Sequence, residues 1–257
     1  MRGTYPMPGE YAVLAAYYET IGMADFANVY TQRLVNFAQA NDWLGRQVID
    51  LGCGTGASTR WLATTGYTVA AIDQSSEMLA EARRLSSTNL GIQWLQGDIR
   101  ALSNAIGTYE LAIALDVFNE INSLRDLETV FGAVHRILEP GKLFIFDLHT
   151  MQGLAERGEQ ATEILVENPD LMVILENQYD YDKQTLGQKY TIFHQQGGAW
   201  ARRMTARTTR GFPVQAVTAL LQRANFGIMA LLNLNMELVD VTTIRAPRVM
   251  FVARKPE

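Results

Sequence analysis

Residues 48–56 read Val48-Ile49-Asp50-Leu51-Gly52-Cys53-Gly54-Thr55-Gly56. An apolar strand carrying an acid runs straight into three glycines at alternate positions. A helix-like segment follows at 58–63. Glycines at a strand-to-helix junction let the backbone turn tightly and let a ligand approach where a Cβ would block it. The ligand implied is a nucleoside-bearing cofactor. The spacing is G-x-G-x-G with an acid two residues before the first glycine, not the G-x-G-x-x-G of dinucleotide folds.

Outward from this loop, apolar strands alternate with amphipathic helices. Strands are expected at 47–51, 68–72, 92–96, 109–115 and 142–148. Helices are expected at 58–64, at 77–85 behind a Ser75-Ser76 cap, and at 124–138, where Pro140-Gly141 stops the chain. Two helices precede them, at 11–20 and 25–40. In the second, Phe26, Val29, Tyr30, Leu34 and Phe37 recur at three-to-four spacing. This rhythm means a parallel sheet covered on both faces. Right-handed crossovers then bring Gly52, Asp73, Asp98, Asp116 and Asp147 to one edge.

After Thr150 the rhythm changes. Three antiparallel strands are expected at 171–182, 186–196 and 200–210, with turns at 184–187 and Gly197-Gly198. A helix at 212–224 and strands at 226–233 and 249–253 complete the chain. Tyr179, Tyr181, Tyr190, Phe193 and Trp200 alternate with polar residues and give the inserted strands an aromatic face. Such a face can pack on the domain, meet another chain or bind an acceptor. One domain over 1–257 is expected: a helical lid at 1–45, a cofactor-binding core at 46–150, an inserted β layer at 159–211 and a C-terminal helix and strands at 212–257.

The 257 residues are 48% hydrophobic, enough for a full core, and carry a net charge of −5. The densest basic group, Arg202-Arg203 with Arg207 and Arg210, is too sparse to suggest a nucleic-acid partner. Cys53 is the sole cysteine, so neither a disulfide framework nor a multi-cysteine zinc site is expected, and no metal is assigned. No apolar run reaches the roughly 20 residues that span a bilayer. Residues 1–10 lack a signal-peptide pattern. The expectation is a cytoplasmic protein with no membrane partner.

Four ordered motifs together resemble those of class I S-adenosylmethionine-dependent methyltransferases. They are the loop 50–56, Ile72-Asp73-Gln74-Ser75-Ser76-Glu77-Met78-Leu79, Gln96-Gly97-Asp98-Ile99 and Leu138-Glu139-Pro140-Gly141-Lys142. The resemblance covers 11–148. Tyr17-Tyr18-Glu19, Asp116-Val117-Phe118-Asn119-Glu120 and Phe146-Asp147-Leu148 extend it toward the small-molecule group that includes sugar-amine N-methyltransferases. It implies an α/β fold, doubly wound, with a mostly parallel seven-stranded Rossmann-like sheet and an inserted antiparallel β layer.

The same resemblance implies roles. Asp50 accepts from the cofactor's α-ammonium, and Gly52, Cys53, Gly54 and Gly56 bring backbone against its methionine and ribose. Asp73, beside Gln74, takes the ribose hydroxyls. Met78, Leu79 and Ile99 enclose the adenine, with Gly97 and Asp98 at its amino edge. Leu115, Asp116 and Val117 lie nearest the sulfonium, and Tyr18 and Tyr30 close the lid. Plainer readings stand beside these: the glycines as a turn, Asp73 as a helix cap, Asp98 as a turn residue, Met78 as core, and Cys53 as a small packing group.

Methyl transfer from a sulfonium needs alignment and desolvation more than acid–base chemistry. A hydroxyl acceptor gains more than an amine from a general base. His149, at the end of the fifth strand, is the base candidate; His135 and His194 are read as structural and as a pocket neighbour. Tyr17 and Asn119, with Glu120, are placed to hold the acceptor. Arg202, Arg203, Arg207 and Arg210 either recognise an acceptor anion or form a solvated face. The expected function is methyl transfer from S-adenosylmethionine, leaving S-adenosylhomocysteine, to nitrogen of a small molecule. Alternatives are O-methylation with His149 as base, and a cofactor-binding protein with other chemistry or none. A homodimer through the inserted layer is a further expectation. Asp116-Val117-Phe118-Asn119 lacks the prolines of base-methylating enzymes, which argues against nucleic acid.

Overall fold

The computed structural model describes residues 11–241 and 245–257. Residues 1–10 and 242–244, which the expected lid and C-terminal segment include, lie outside the described residues. The parallel core comprises β1 (Gln47–Leu51), β2 (Thr68–Asp73), β3 (Gln93–Gln96), β4 (Tyr109–Ala114) and β5 (Leu138–His149). With β10 (Gly227–Leu232) and β11 (Arg248–Arg254) they form one sheet in the order β10-β11-β5-β4-β1-β2-β3, with β11 antiparallel to both neighbours. The order reverses between β1 and β4, and such a switch point opens a crevice at the strands' carboxyl ends.

The strands are wholly apolar in the middle because both faces are covered. Helices α4 (Leu124–Ile137) and α6 (Val214–Arg223) pack on one face, and α1 (Asp25–Ala40) and α2 (Ala57–Thr64) on the other. In α4, Leu127, Val130, Phe131, Val134 and Ile137 are all buried at helical spacing. Phe131 of this helix meets Phe118 edge-on and Phe146 at a tilt, and Phe146 in turn stacks on Phe251. Helix α3 (Ser76–Leu85) starts as expected at Ser75, whose hydroxyl accepts from the Met78 amide at 3.1 Å.

The second sheet holds β6 (Thr162–Glu167), β7 (Leu171–Asp180), β8 (Thr185–Gln196) and β9 (Ala199–Arg210), all antiparallel. Its inner face packs on the 11–23 segment through Val173, Leu175, Tyr190, Ile192, Leu14 and Ile21.

Four expectations are corrected. The 11–20 segment is a series of turns with a single 3-10 turn at Ala15–Tyr17, and Tyr11 and Tyr17 are held by different partners. Tyr11 bonds Glu120 while Tyr17 packs beside His194. Pro140-Gly141 does not separate helix from strand. β5 begins at Leu138 and carries the pair as a bulge, across which the register jumps from Tyr109↔Leu138 to Leu111↔Leu143. An unexpected helix, α5 (Met151–Glu159), and the unexpected strand β6 follow Thr150. Lastly, the aromatic residues of the inserted sheet do not share one face: Tyr190 is buried, whereas Tyr181 is 71% and Trp200 50% exposed.

Candidate active site

At the carboxyl end of β1 the chain makes the turn that the glycine spacing predicts. Gly52 has φ 66°, and a Cβ there would lie 2.7 Å from Val117. Gly56 has φ 82°, opens α2, and would meet the Trp94 ring at 2.7 Å. Only glycine fits either position.

A cavity of about 230 Å³ opens over this loop. Tyr18, Gly52, Gly54, Asp73, Gln74, Met78, Gly97, Asp98, Ile99, Leu115, Asp116 and Val117 all line it, so twelve of the sequence-derived candidates converge there. Acids stand at three strand ends around an apolar slab of Met78 and Ile99. The Asp73 carboxylate accepts from the amides of Gly54 and Ser75, both at 2.8 Å. Burial raises its pKa, and those amides partly offset the rise. Asp98 is bound by the Arg100 guanidinium through both oxygens, at 3.0 Å to Oδ1 and 2.6 Å to Oδ2, which lowers its pKa.

Other candidates lie elsewhere. Asp50 is buried beneath the loop, where its carboxylate accepts from the hydroxyls of Ser58 and Thr59, each at 2.5 Å. It ties β1 to α2 and does not line the cavity; burial pushes its pKa up to about 6. Cys53 packs against Ala71 and Leu79, and burial pushes its thiol up, as expected of an unreactive cysteine. Tyr30 stacks on Phe26 and donates to the Leu234 carbonyl at 2.9 Å. Glu19 holds the lid segment to the loop, accepting from Thr55 at 2.8 Å and from Arg60 at 2.7 Å.

Asp116, two residues past β4, has φ 62°, a conformation rare outside glycine but most accessible to Asp and Asn. Its amide donates to Asp147 at 2.7 Å, and its carboxylate accepts from Arg248 at 2.5 Å. Burial alone would raise the Asp116 pKa. Arg248, helped by His149, Arg207 and Arg157, overrides that and holds it well below the usual carboxylate range. Asp147, buried behind it, is pushed up to about 6 by burial, with Arg248 opposing.

A second, larger cavity of about 540 Å³ adjoins the first, and Asp116 lines both. The lid (Ile21, Met23, Phe26, Tyr30), α5 and the inner face of the second sheet enclose it, and His149, Arg157, Arg207 and Arg248 project into it. The His149 expectation is corrected here. Its Nε2 already accepts from Arg157 at 3.1 Å and, over a short contact, from Arg248. Burial, then Arg248, lowers its pKa to about 3 against the opposing pull of Asp116. An imidazole so placed is a poor proton acceptor at neutral pH.

Asn119 is likewise committed. Its amide donates to the carbonyls of His149 (3.0 Å) and Arg210 (2.8 Å), and its oxygen accepts from the His149 amide at 2.8 Å. It staples the loop after β4 to β5 and β9 rather than facing an acceptor. Tyr17 belongs to the apolar cluster under the second sheet and lines neither cavity.

Sequence reasoning missed Arg248 and Arg157. Arg248 had a signal, a charge opening the apolar run 249–253 directly after Pro247; Arg157 had none. Arg207 was weighed with three surface neighbours. It is buried, bonding Gln188 at 2.8 Å and Glu120 at 3.1 Å, whereas Arg202 and Arg203 are exposed. Glu120 lines the smaller cavity, where its carboxylate accepts from Tyr11 at 2.6 Å. Burial raises its pKa, with Arg207 opposing.

Residues 48–141 match the family described as the methyltransferase domain. YqeM of Bacillus subtilis, whose name assigns it provisionally to the methyltransferases, is 29% identical over 212 residues, covering 78% of this chain and 85% of its own. Further curated relatives match over shorter stretches, and the chain spans about half their length. An S-adenosylmethionine-dependent methyltransferase from Clostridium acetobutylicum shares the fold, with a TM-score of 0.81 at 21% identity over 97% of this chain and all of that one. So does the sugar N-methyltransferase KedS8 from Streptoalloteichus, with a TM-score of 0.71 at 14% identity over 100% of this chain and 97% of that one. Residues 48–141 thus match a methyltransferase domain, and the chain shares its fold with S-adenosylmethionine-dependent methyltransferases.

Proposed function

We propose that the smaller cavity holds S-adenosylmethionine, that the larger one holds a small acceptor, and that the methyl group passes between them beside Asp116 to a nitrogen. The observation carrying this reading is that Asp116 lines both cavities. In this reading Asp73 accepts from the ribose hydroxyls with the lone pairs its two amide bonds leave. Met78 and Ile99 sandwich the adenine. Tyr18, its hydroxyl kept protonated by burial, covers the methionine end as a hydrogen-bond donor. The bound sulfonium supplies an already activated methyl group.

The chain's remaining task is to align the acceptor, exclude water and stabilise the ammonium that forms, whose proton then passes to solvent. Asp116 is held anionic by Arg248 and stands closest to an ammonium formed there. Nitrogen is favoured over a hydroxyl because His149 is both occupied and weakly basic, and a neutral amine attacks without prior deprotonation. The sugar N-methyltransferase named above has a similar fold, which is consistent with this choice.

The test combines calorimetric titration with S-adenosylmethionine and transfer of labelled methyl groups into a metabolite extract. Cofactor binding with label in a methylated amine is expected. Tight cofactor binding with no acceptor labelled under any condition would count against transfer.

A further inference from the structure

We infer that the larger cavity contains a built oxyanion subsite, centred on Arg157, that anchors a carboxylate or phosphate of the acceptor. The inference deepens the reading of this cavity as the acceptor site. Three guanidinium groups, those of Arg157, Arg207 and Arg248, reach it from α5, β9 and β11. Two of them are matched by carboxylates. Arg248 pairs with Asp116 at 2.5 Å and Asp147 at 3.4 Å, and Arg207 pairs with Glu120 at 3.1 Å.

Arg157 has no carboxylate within ion-pair distance among the described residues. Glu156 and Glu163 line the same cavity, but they accept from Gln152 and Asn177. The polar contact of Arg157 is with His149 Nε2, and that atom also accepts from Arg248. A neutral imidazole nitrogen has one lone pair, so two guanidiniums compete for it and one fork retains donors for a ligand. The neighbouring charges agree. Arg157 lies at the cavity wall with its side chain still solvent-exposed; desolvation there, then repulsion from Arg207 and Arg248, lowers its pKa despite the pull of Asp116. An oxyanion at this place would relieve that repulsion and fill a planar fork suited to two oxygens.

Placement fits the chemistry. His149 separates Arg157 from Asp116, which stands at the junction with the smaller cavity. An acceptor anchored by its anion at Arg157 therefore presents its other end toward Asp116. The acceptor class this describes is a small molecule bearing both a methylatable nitrogen and an oxyanion, such as an amino acid or a phosphorylated amine.

The test follows the arginine 15Nε resonances of the intact, cofactor-free protein while methyl phosphate or acetate is added at constant ionic strength. A saturable shift at Arg157 is expected with at least one probe, and the tighter probe identifies the anion. Arg157→Gln should weaken that binding by about tenfold or more, because charge-assisted bonds are lost. Arg157→Lys should recover part of it. Arg202→Gln, on the exposed face of β9, should leave it unchanged. No saturable shift at Arg157 with either probe, or equal responses at Arg157 and Arg202, would overturn the inference. Since no cofactor is present, anion binding without methyl transfer would fail the transfer reading alone.

Discussion

His149→Gln separates the two descriptions of this histidine. The imidazole is buried as a neutral acceptor between two guanidiniums, with its pKa lowered to about 3 by burial and Arg248. In the unfolded chain its pKa is about 6.5. Below that value the unfolded state binds a proton that the folded state refuses, so the folded state loses stability as pH falls. Between pH 7.5 and 5 the loss is about 1.5 units of pH, or about 2 kcal/mol, before the folded imidazole titrates. Glutamine keeps an acceptor for the guanidiniums but does not titrate. Urea denaturation at the two pH values should therefore show the variant losing about 2 kcal/mol less than the parent. Methyl transfer should persist, with an unchanged kcat–pH profile. A variant that lost turnover together with an inflection near neutral pH would refute this reasoning and restore His149 as a base.

Three further outcomes test the donor cavity and its neighbour by separate routes. Asp73→Ala should weaken S-adenosylhomocysteine binding by about tenfold or more in calorimetry, since each charge-assisted bond contributes about 1.5–3 kcal/mol; unchanged affinity would remove Asp73 from the ribose. Gly52→Ala places a Cβ 2.7 Å from Val117 at φ 66°, so cofactor affinity should collapse. Adding Val117→Ala should recover only part, because the backbone penalty of about 1–2 kcal/mol remains. Gly153→Ala drives a Cβ to 1.9 Å from the Pro247 carbonyl oxygen and should lift α5 away from the entry to β11. A cost of about 1–3 kcal/mol should appear as a lower Tm, with acceptor KM raised and cofactor affinity within about twofold.

Most of the sheet was legible because parallel strands buried on both faces read as apolar runs between helices. The loop 50–56, the Ser75 cap and the acids at strand ends each have a local cause that a sequence displays. What escaped has a non-local cause. Helix α5 carries Gly153 and Gly158, which look like breakers; in the fold they admit the Pro247 carbonyl and the Tyr179 Cβ. The 11–20 segment has a helical composition, but its tyrosines are taken by Glu120, His194 and the donor cavity. Asp50 reads as a ligand to the cofactor's ammonium, yet Ser58 and Thr59 in the first turn of α2, eight and nine residues later, claim it. His149 illustrates the limit most clearly. Its place at the active edge follows from the strand pattern, but its basicity depends on Arg157 and Arg248, eight and ninety-nine residues away.

In the proposed arrangement, donor and acceptor occupy adjoining cavities that meet at Asp116. A crystal structure with S-adenosylhomocysteine tests it most directly. Adenine should lie between Met78 and Ile99, the ribose hydroxyls on Asp73, and the sulfur beside Asp116, facing the cavity of Arg157 and Arg207. Cofactor bound in the larger cavity, or with its sulfur turned away from Asp116, would contradict it.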